Sequence, residues 1–137
     1  MEDIIKQIKE NWYKNIGTNN NEINNLEQLI NINFPEDYKH FVKWSNGGEG
    51  KIKENNISLW KIENLKILND EYQIQKYLGE KFIGIGTDGG GICYGYNLTG
   101  NQSKIFKCPL GDLDIDEITI VADSFEGFLK KANEEEL

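Results

Sequence analysis

The sequence predicts one α+β domain over residues 1–137, with an antiparallel sheet of about five to six strands packed by N-terminal helices and a C-terminal helix. Three observations predict this class. Apolar residues recur at helical spacing before residue 45, strand-like alternation follows residue 81, and helical spacing returns after residue 123. With 137 residues and 38% hydrophobic content, the chain is long enough to bury a core.

Two helices are predicted before residue 33. The first covers residues 2–12, because its apolar side chains fall on one stripe: Ile4, Ile5, Ile8 and Trp12. The second begins near Asn19, because Asn19 and Glu22 have the spacing of a capping box. Its apolar face contains Ile23, Leu26, Leu29 and Ile30.

The stretch NFPEDYKHFVKWSNGG, residues 33–48, predicts a third helix. Pro35 suits the first helical position, and the acidic Glu36 and Asp37 after it favour the positive end of the helix dipole. The Asn-Gly-Gly at residues 46–48 can adopt the left-handed conformation that ends a helix.

Most of the sheet is predicted from the second half of the chain. A strand at residues 57–60 precedes a mixed helical or irregular segment at residues 62–78. Four strand-like segments then follow, separated by Gly, Asn and Asp turns: KFIGIG, GICYGYN, KIFKC and EITIVA. A closing helix is predicted from the capping-box spacing of Asp123 and Glu126. Its apolar face contains Phe125, Phe128, Leu129 and Ala132.

The glycines of FIGIGTDGGGICYGY, residues 82–96, have the spacing of a nucleotide-binding loop at Gly84, Gly86 and Gly89. A dinucleotide-binding fingerprint must open a helix, but the residues after the glycines predict a strand. The lysine and the catalytic and metal-binding residues that a kinase needs with its glycine-rich loop are also missing. We therefore interpret the glycines as a turn, with Gly84 and Gly86 permitting a bulge or close helix packing, and expect no cofactor.

Catalytic groups are scarce. His40 is the single histidine and lies off the apolar stripe of its helix, which favours a solvated side chain over a general base. Every Ser-His-Asp or Cys-His set would have to use that histidine. We expect a protein that is not an enzyme and has no catalytic residues.

Alternating acids in GDLDIDEIT have the start of a calcium-loop pattern at Asp112, Asp114 and Asp116. That loop needs glycine at its sixth position, where this chain has Glu117, and glutamate at its twelfth, where it has Asp123. The pattern therefore favours an acidic surface ridge, and we expect no metal site.

The two cysteines, Cys93 and Cys108, fall in neighbouring predicted strands and could face each other. Reduced thiols fit a cytoplasmic protein, and a bond between them stays open. No apolar run is long enough to cross a bilayer, and the amino end has no signal-peptide pattern. We expect a cytoplasmic protein that makes no membrane contact.

The charge balance constrains the partner. A net charge of −8 argues against direct binding to nucleic acid, which needs clustered Lys and Arg to neutralise phosphates. The same charge is compatible with a basic protein partner attracted over long range.

Three blocks, in this order, resemble the SUKH superfamily of Smi/Knr-type proteins: NNLEQLININFPEDYKHFVKWSNGGEG, FIGIGTDGGGICYGYN and IVADSFEGFLKK. The resemblance spans about residues 19–131 and implies helices packed on an antiparallel sheet. The matching positions imply fold determinants and no catalytic group: Phe34, Pro35, Tyr38, Trp44, Asn46, Gly47, Gly48, Asp88, Gly89, Ser124, Phe125 and Leu129. The family's bacterial members are chiefly immunity proteins that neutralise a co-produced toxin, often a nuclease. Its fungal members are regulators of cell-wall synthesis and signalling scaffolds.

We therefore expect a non-enzymatic immunity protein that binds a co-encoded basic toxin, as a monomer or weak homodimer. The alternative is an intracellular adaptor or regulatory scaffold of the cell-wall synthesis regulator type. The expected partner contacts are chosen from charge and predicted exposure: Asp88, Tyr94, Tyr96, Asp112, Asp114, Asp116 and Glu117.

Overall fold

The computed structural model describes residues 1–137, and its sheet is an antiparallel meander in which each strand pairs with the next. The seven strands are β1 Trp12–Tyr13, β2 Gly48–Ile52, β3 Asn55–Leu59, β4 Phe82–Thr87, β5 Ile92–Asn97, β6 Lys104–Pro109 and β7 Thr119–Ala122. The six helices are α1 Glu2–Ile8, α2 Asn20–Ile30, α3 Glu36–Trp44, α4 Ile62–Tyr72, α5 Ile74–Leu78 and α6 Phe125–Ala132. The predicted α+β class is confirmed, with more strands than the sequence predicted.

The two strands that the sequence did not predict form one edge of the sheet. β2 reads GEGKI and has no apolar alternation, while β1 contains only two residues. Both are held by pairing, Trp12 with Gly50 and Gly48 with Leu59. Tertiary pairing therefore overrides weak local propensity at this edge.

The predicted first helix is too long. α1 ends at Ile8, a short 3₁₀ turn covers Lys9–Asn11, and Trp12 begins β1. Trp12 is still buried, because its ring packs edge-on against Phe41 with the centroids 5.7 Å apart. Its apolar side chain reaches the core from a strand, which helical periodicity alone could not show.

Of the three helix starts predicted from capping or proline signals, two shift by one residue. The prediction for α2 is confirmed, because the Asn19 side chain accepts a 2.9 Å hydrogen bond from the N–H of Glu22. At α3, Pro35 is the residue before the helix rather than its first member. At α6, Ser124 is the cap and accepts from the N–H of Gly127 at 3.0 Å, so the prediction of Asp123 is wrong.

The main core lies between one face of the sheet and helices α1, α2, α3, α4 and α6. Aromatic rings fill its centre, with Tyr38 and Phe41 each packed edge-on against Phe125 at 5.3 and 5.2 Å. These rings are 2% exposed or less, which is the condition under which aromatic burial contributes most. The matching aromatic positions of α3 and α6 are therefore fold determinants.

A smaller apolar cluster lies on the opposite face, over β4, β5 and β6. It contains Ile74, Leu78, Phe82, Cys93, Phe106 and Cys108. Gly84 allows this packing, because a Cβ there would lie 2.7 Å from Ile74 Cδ1. The β4–β5 register shifts between Gly84 and Gly86, which is a bulge. Both expected uses of these glycines, a bulge and close helix packing, are confirmed.

Buried asparagines join the elements. Asn46 Oδ1 accepts from the N–H of Ile62 at 2.9 Å, and its Nδ2 donates to Glu63 at 2.6 Å, so it caps the start of α4. Asn69 exchanges hydrogen bonds of 2.7 and 2.9 Å with the backbone of Gly84 and so ties α4 to β4. Each amide satisfies backbone groups that burial would otherwise leave unpaired.

No helix in the chain combines the length and the apolar character that a membrane span requires.

Candidate protein-docking surface

The strand order brings acidic residues from distant parts of the chain to one end of the sheet. β4 ends there and β5 begins there, with the turn at Asp88 between them, and β6 ends there before the acidic segment. The β2–β3 turn lies at the same end, because Ile52 pairs with Asn55 beyond the last β3–β4 pair, Ser58 with Thr87.

The carboxyl-terminal segment joins this end. The Nδ2 of Asn55, at the start of β3, donates to the carbonyls of Ala132 and Glu135 at 2.8 Å each, and the N–H of Leu137 donates back to Asn55 Oδ1 at 2.9 Å. We name this region the acidic end and define it by its carboxylates: Glu54, Asp88, Asp112, Asp114, Asp116, Glu117, Glu134, Glu135 and Glu136. All of them except the half-buried Asp88 are exposed.

Lysines only partly offset this charge. Lys107 Nζ donates to the Leu137 carbonyl at 3.3 Å, and Lys131 Nζ donates to the Val121 carbonyl at 3.1 Å. Glu135 is 3.8 Å from Lys131, a long and exposed pair that contributes little. The acidic end therefore keeps an excess of negative charge.

The backbone N–H groups of the Asp88 turn are hydrogen-bonded to side chains of the same turn. Asp88 Oδ1 accepts from the N–H groups of Gly90 and Ile92 at 2.8 and 3.1 Å, and Thr87 Oγ1 accepts from the N–H of Gly89 at 3.1 Å. A phosphate loop needs such N–H groups free and pointing at the anion. In this turn the side chains of Asp88 and Thr87 already accept hydrogen bonds from three of these N–H groups, and the Asp88 side chain is negatively charged. The geometry therefore supports a turn rather than a phosphate-binding loop.

The acidic segment between β6 and β7 contains a short 3₁₀ turn, and its carboxylates are exposed. Asp114 Oδ1 accepts from the N–H of Asp116 at 2.9 Å and caps the turn Ile115–Glu117. Leu113 packs on the small apolar cluster, whereas Ile115 is 52% exposed. No three His, Cys, Asp or Glu side chains in the chain are grouped so that they could hold a metal ion.

Two expected contact residues, Tyr94 and Tyr96, do not belong to any surface. Alternation along β5 directs both to the helical face, where Tyr94 packs on Phe128 at 5.1 Å and Tyr96 edge-on against Tyr38 at 5.8 Å. Tyr94 is 5% exposed and Tyr96 is fully buried. The exposure predicted for them is wrong, because their pattern of alternate aromatics marks the core face of β5.

Burial controls the ionisation of these tyrosines. It raises the pKa of Tyr94 to about 12, with a further contribution from the negative charge of Asp88. Burial also raises the pKa of Tyr96, and the nearby Asp37 carboxylate raises that pKa further, although no hydrogen bond of acceptable geometry joins the two groups. Both phenols are neutral at ordinary pH.

The potential nucleophiles are one exposed histidine and two buried thiols. His40 is exposed, while Cys93 and Cys108 are buried, unbonded and directly opposite each other across β5 and β6. Burial raises the pKa of Cys93 to about 12, with Cys108 as a second cause. A thiol that stays protonated is a poor nucleophile.

A second surface, which the sequence analysis missed, lies on β1, β2 and β3. The small apolar cluster covers the sheet face at β4–β6, but the same face of β1–β3 is open. We define the open sheet face by its outward side chains: Tyr13, Glu49, Lys51, Asn56 and Ser58. None of these side chains makes an internal hydrogen bond or ion pair.

The open sheet face is concave. A cleft of about 420 Å³ contains Tyr13, Glu49 and Ser58 and reaches Asp88 of the acidic end. A second cleft of about 330 Å³ also contains Tyr13, Glu49 and Ser58, and it extends to Trp60. The only sequence signal of this face was the charged and polar alternation of β2 and β3, which is ambiguous without pairing.

Comparison with known proteins gives one result at the family level. The pattern of the SMI1 / KNR4 family (SUKH-1) matches residues 17–131, close to the range that the resemblance covered. No protein with a curated description matches the chain.

Proposed function

The chain belongs to the SMI1 / KNR4 family (SUKH-1), and from this premise we propose that it is a non-enzymatic immunity protein. It binds and neutralises a co-encoded basic toxin such as a nuclease. The proposal places this binding in the cytoplasm, with the chain acting as a monomer or weak homodimer.

The acidic end carries this proposal. The fold collects carboxylates from the β2–β3 turn, the Asp88 turn, the β6–β7 segment and the carboxyl-terminal segment at one end of the sheet. Five of them are carboxylates expected from the sequence to contact the partner: Asp88, Asp112, Asp114, Asp116 and Glu117.

The mechanism follows from the chemistry of a nuclease surface. Such an enzyme presents Lys and Arg to the phosphates of its substrate. Exposed carboxylates offer the same negative charge to those cations, and complementary fields accelerate encounter. Once bound, the acidic end covers the substrate path, so neutralisation requires no chemical step and no cofactor.

One observation favours the alternative of an adaptor or regulatory scaffold. The open sheet face carries both signs of charge, with Glu49 beside Lys51, and has no internal partners. A partner without strong positive charge could bind there. Two findings together would favour this alternative. The gene would stand apart from any toxin gene, and a regulatory protein would be found to bind the open sheet face.

The test of the proposal is co-expression with the protein encoded directly upstream of this chain. We expect the upstream protein to be toxic alone, the chain to restore growth, and the two to elute as one complex. Toxicity that persists despite soluble chain, with no complex on size exclusion, would remove the proposed function for that partner.

A further inference from the structure

Two apolar side chains are presented to solvent at one edge of the sheet, Tyr13 on the open sheet face and Ile16 three residues after it. Tyr13 is 77% exposed and Ile16 is 89% exposed, the highest value among the chain's large apolar residues. Single exposed apolar residues are ordinary on protein surfaces. Tyr13 and Ile16 are only three residues apart, so the rigidity of the short backbone segment between them decides whether they are presented together.

That backbone is fixed at several points. Asn15 Nδ2 donates to the Asn46 carbonyl at 3.0 Å, and the N–H of Thr18 donates to the Val42 carbonyl at 2.9 Å. Gly17 lies so close to the end of α3 that a Cβ would overlap the Lys43 carbonyl. The segment is therefore held in place while its apolar side chains point outward.

Fixed presentation matters for binding. An interface loses free energy when it must order mobile side chains and loops, and a preformed backbone reduces that loss. Aromatic residues that become buried in a complex are also the usual high-energy contacts. Tyr13 is a residue of this kind, because its large aromatic ring is exposed and the backbone that carries it is fixed in place.

The same region is continuous with the acidic end. The cleft that contains Tyr13 also contains Asp88 and Gly89 of the β4–β5 turn. Glu49 lies opposite Tyr13 in the β1–β2 ladder and forms no ion pair. A partner that is attracted to the acidic end therefore meets Tyr13 in a cleft that also contains Asp88, Glu49 and Lys51.

We propose that Tyr13 and Ile16 are the apolar anchors of the interface with the cationic protein, an inference that rests on the proposed function. The occupant is a basic protein with a Lys- or Arg-rich patch and an apolar pocket beside it. The acidic end sets the rate of association, and the anchors set the lifetime of the complex.

The test measures association and dissociation rates of the upstream-encoded toxin by surface plasmon resonance. The variants are Tyr13→Ala and Ile16→Ser. The matched controls are Tyr77→Ala on α5, where Tyr77 is 51% exposed, and Leu29→Ser on α2, where Leu29 is 64% exposed. Circular dichroism and the melting temperature of each variant show that it is folded.

We expect each anchor variant to dissociate about tenfold faster or more, with association rates within about twofold of the unmodified chain. Both controls keep both rates within about twofold. If the unmodified chain binds the toxin and both anchor variants dissociate as slowly as it does, Tyr13 and Ile16 are not anchors. The proposed function would still stand in that case.

Two other outcomes also decide the matter. If the unmodified chain does not bind the toxin, the proposed function falls for that partner and the anchors fall with it. If sedimentation shows that the free chain is a dimer that Tyr13→Ala disperses, the surface belongs to a second copy of the chain, and the proposal is overturned.

Discussion

Asp37 Oδ2 accepts a 2.9 Å hydrogen bond from the backbone N–H of Glu126, 89 positions later in the chain. The other oxygen of the same carboxylate accepts from the N–H of Tyr38 at 2.8 Å. One side chain therefore satisfies amides at the starts of both α3 and α6, where the helix dipoles also favour a negative charge. This contact joins two blocks that carry the family resemblance.

Asp37→Ala should destabilise the fold by about 1–2 kcal/mol, because it removes acceptors for two helix-start amides. Asp123→Ala is the matched control, since Asp123 is exposed next to α6 and its side chain accepts no hydrogen bond. Urea unfolding measures both. Equal losses for the two variants would show that Asp37 has no special role.

Asn46→Ala should cost about 2 kcal/mol, because Asn46 both caps Ile62 and bonds Glu63 while it is 8% exposed. Asn64→Ala provides the comparison, because Asn64 is exposed on α4 and its side chain has no partner. We expect that control to be neutral or slightly stabilising. A neutral Asn46→Ala in thermal unfolding would contradict the account of this motif.

Gly95→Ala should destabilise by about 1–3 kcal/mol, because a Cβ there would overlap the Ile83 carbonyl and lie 2.8 Å from the Phe106 ring. Gly91→Ala tests the same change in the same glycine-rich stretch, but its Cβ would meet nothing within 4 Å. Calorimetry should separate the two variants. Similar melting temperatures for the two variants would show that the sheet accommodates a Cβ at position 95 without loss of stability.

The buried thiol predicts a loss of stability in alkali. Folding raises the pKa of Cys93 from its usual 9.0 to about 12, so the folded state binds a proton that the unfolded chain releases. The contribution of Cys93 is complete below about pH 9 and is lost as pH rises towards 12. We expect Cys93→Ala to flatten the pH dependence of unfolding between pH 9 and 11, although the truncation itself lowers stability at every pH.

Thiol reactivity provides the control for that measurement. At pH 8 an aromatic disulfide reagent should label Cys93 slowly in the native chain and quickly in urea. Fast labelling in the native state would show that the thiol is accessible, and the pH argument would fail with it.

Local chemistry predicted much of this fold. Helical spacing identified α2, α3 and α6, and the glycine-rich stretch was correctly interpreted as a bulge and turn because the residues after it alternate like a strand. Trp12, Tyr94 and Tyr96 show where local chemistry was insufficient. An apolar period shows that a side chain needs burial, but the partner strand decides which face it points to.

The candidate surface was predicted only in part. Charge and predicted exposure selected Asp88 and the acids from Asp112 to Glu117, and antiparallel pairing places them at one end. The contribution of Glu134 to Glu136 depends on Asn55, a contact across 77 to 80 positions that no local pattern reveals. The open sheet face depends on β1 and β2, whose existence is a tertiary effect.

The salt dependence of association with the upstream-encoded toxin tests the central claim most directly. The variant neutralises Asp116, Glu117 and Glu134 at the acidic end, as Asp116→Asn, Glu117→Gln and Glu134→Gln. The control removes the same number of charges elsewhere from exposed positions, as Glu36→Gln, Glu71→Gln and Glu80→Gln.

At low ionic strength we predict that the acidic-end variant associates about tenfold more slowly than the unmodified chain, and that its rate depends less on salt. The control should stay within about threefold, because its three charges lie outside the acidic end and steer the toxin less directly. If both variants slow association equally, or neither does, the acidic end is not the surface that receives the toxin.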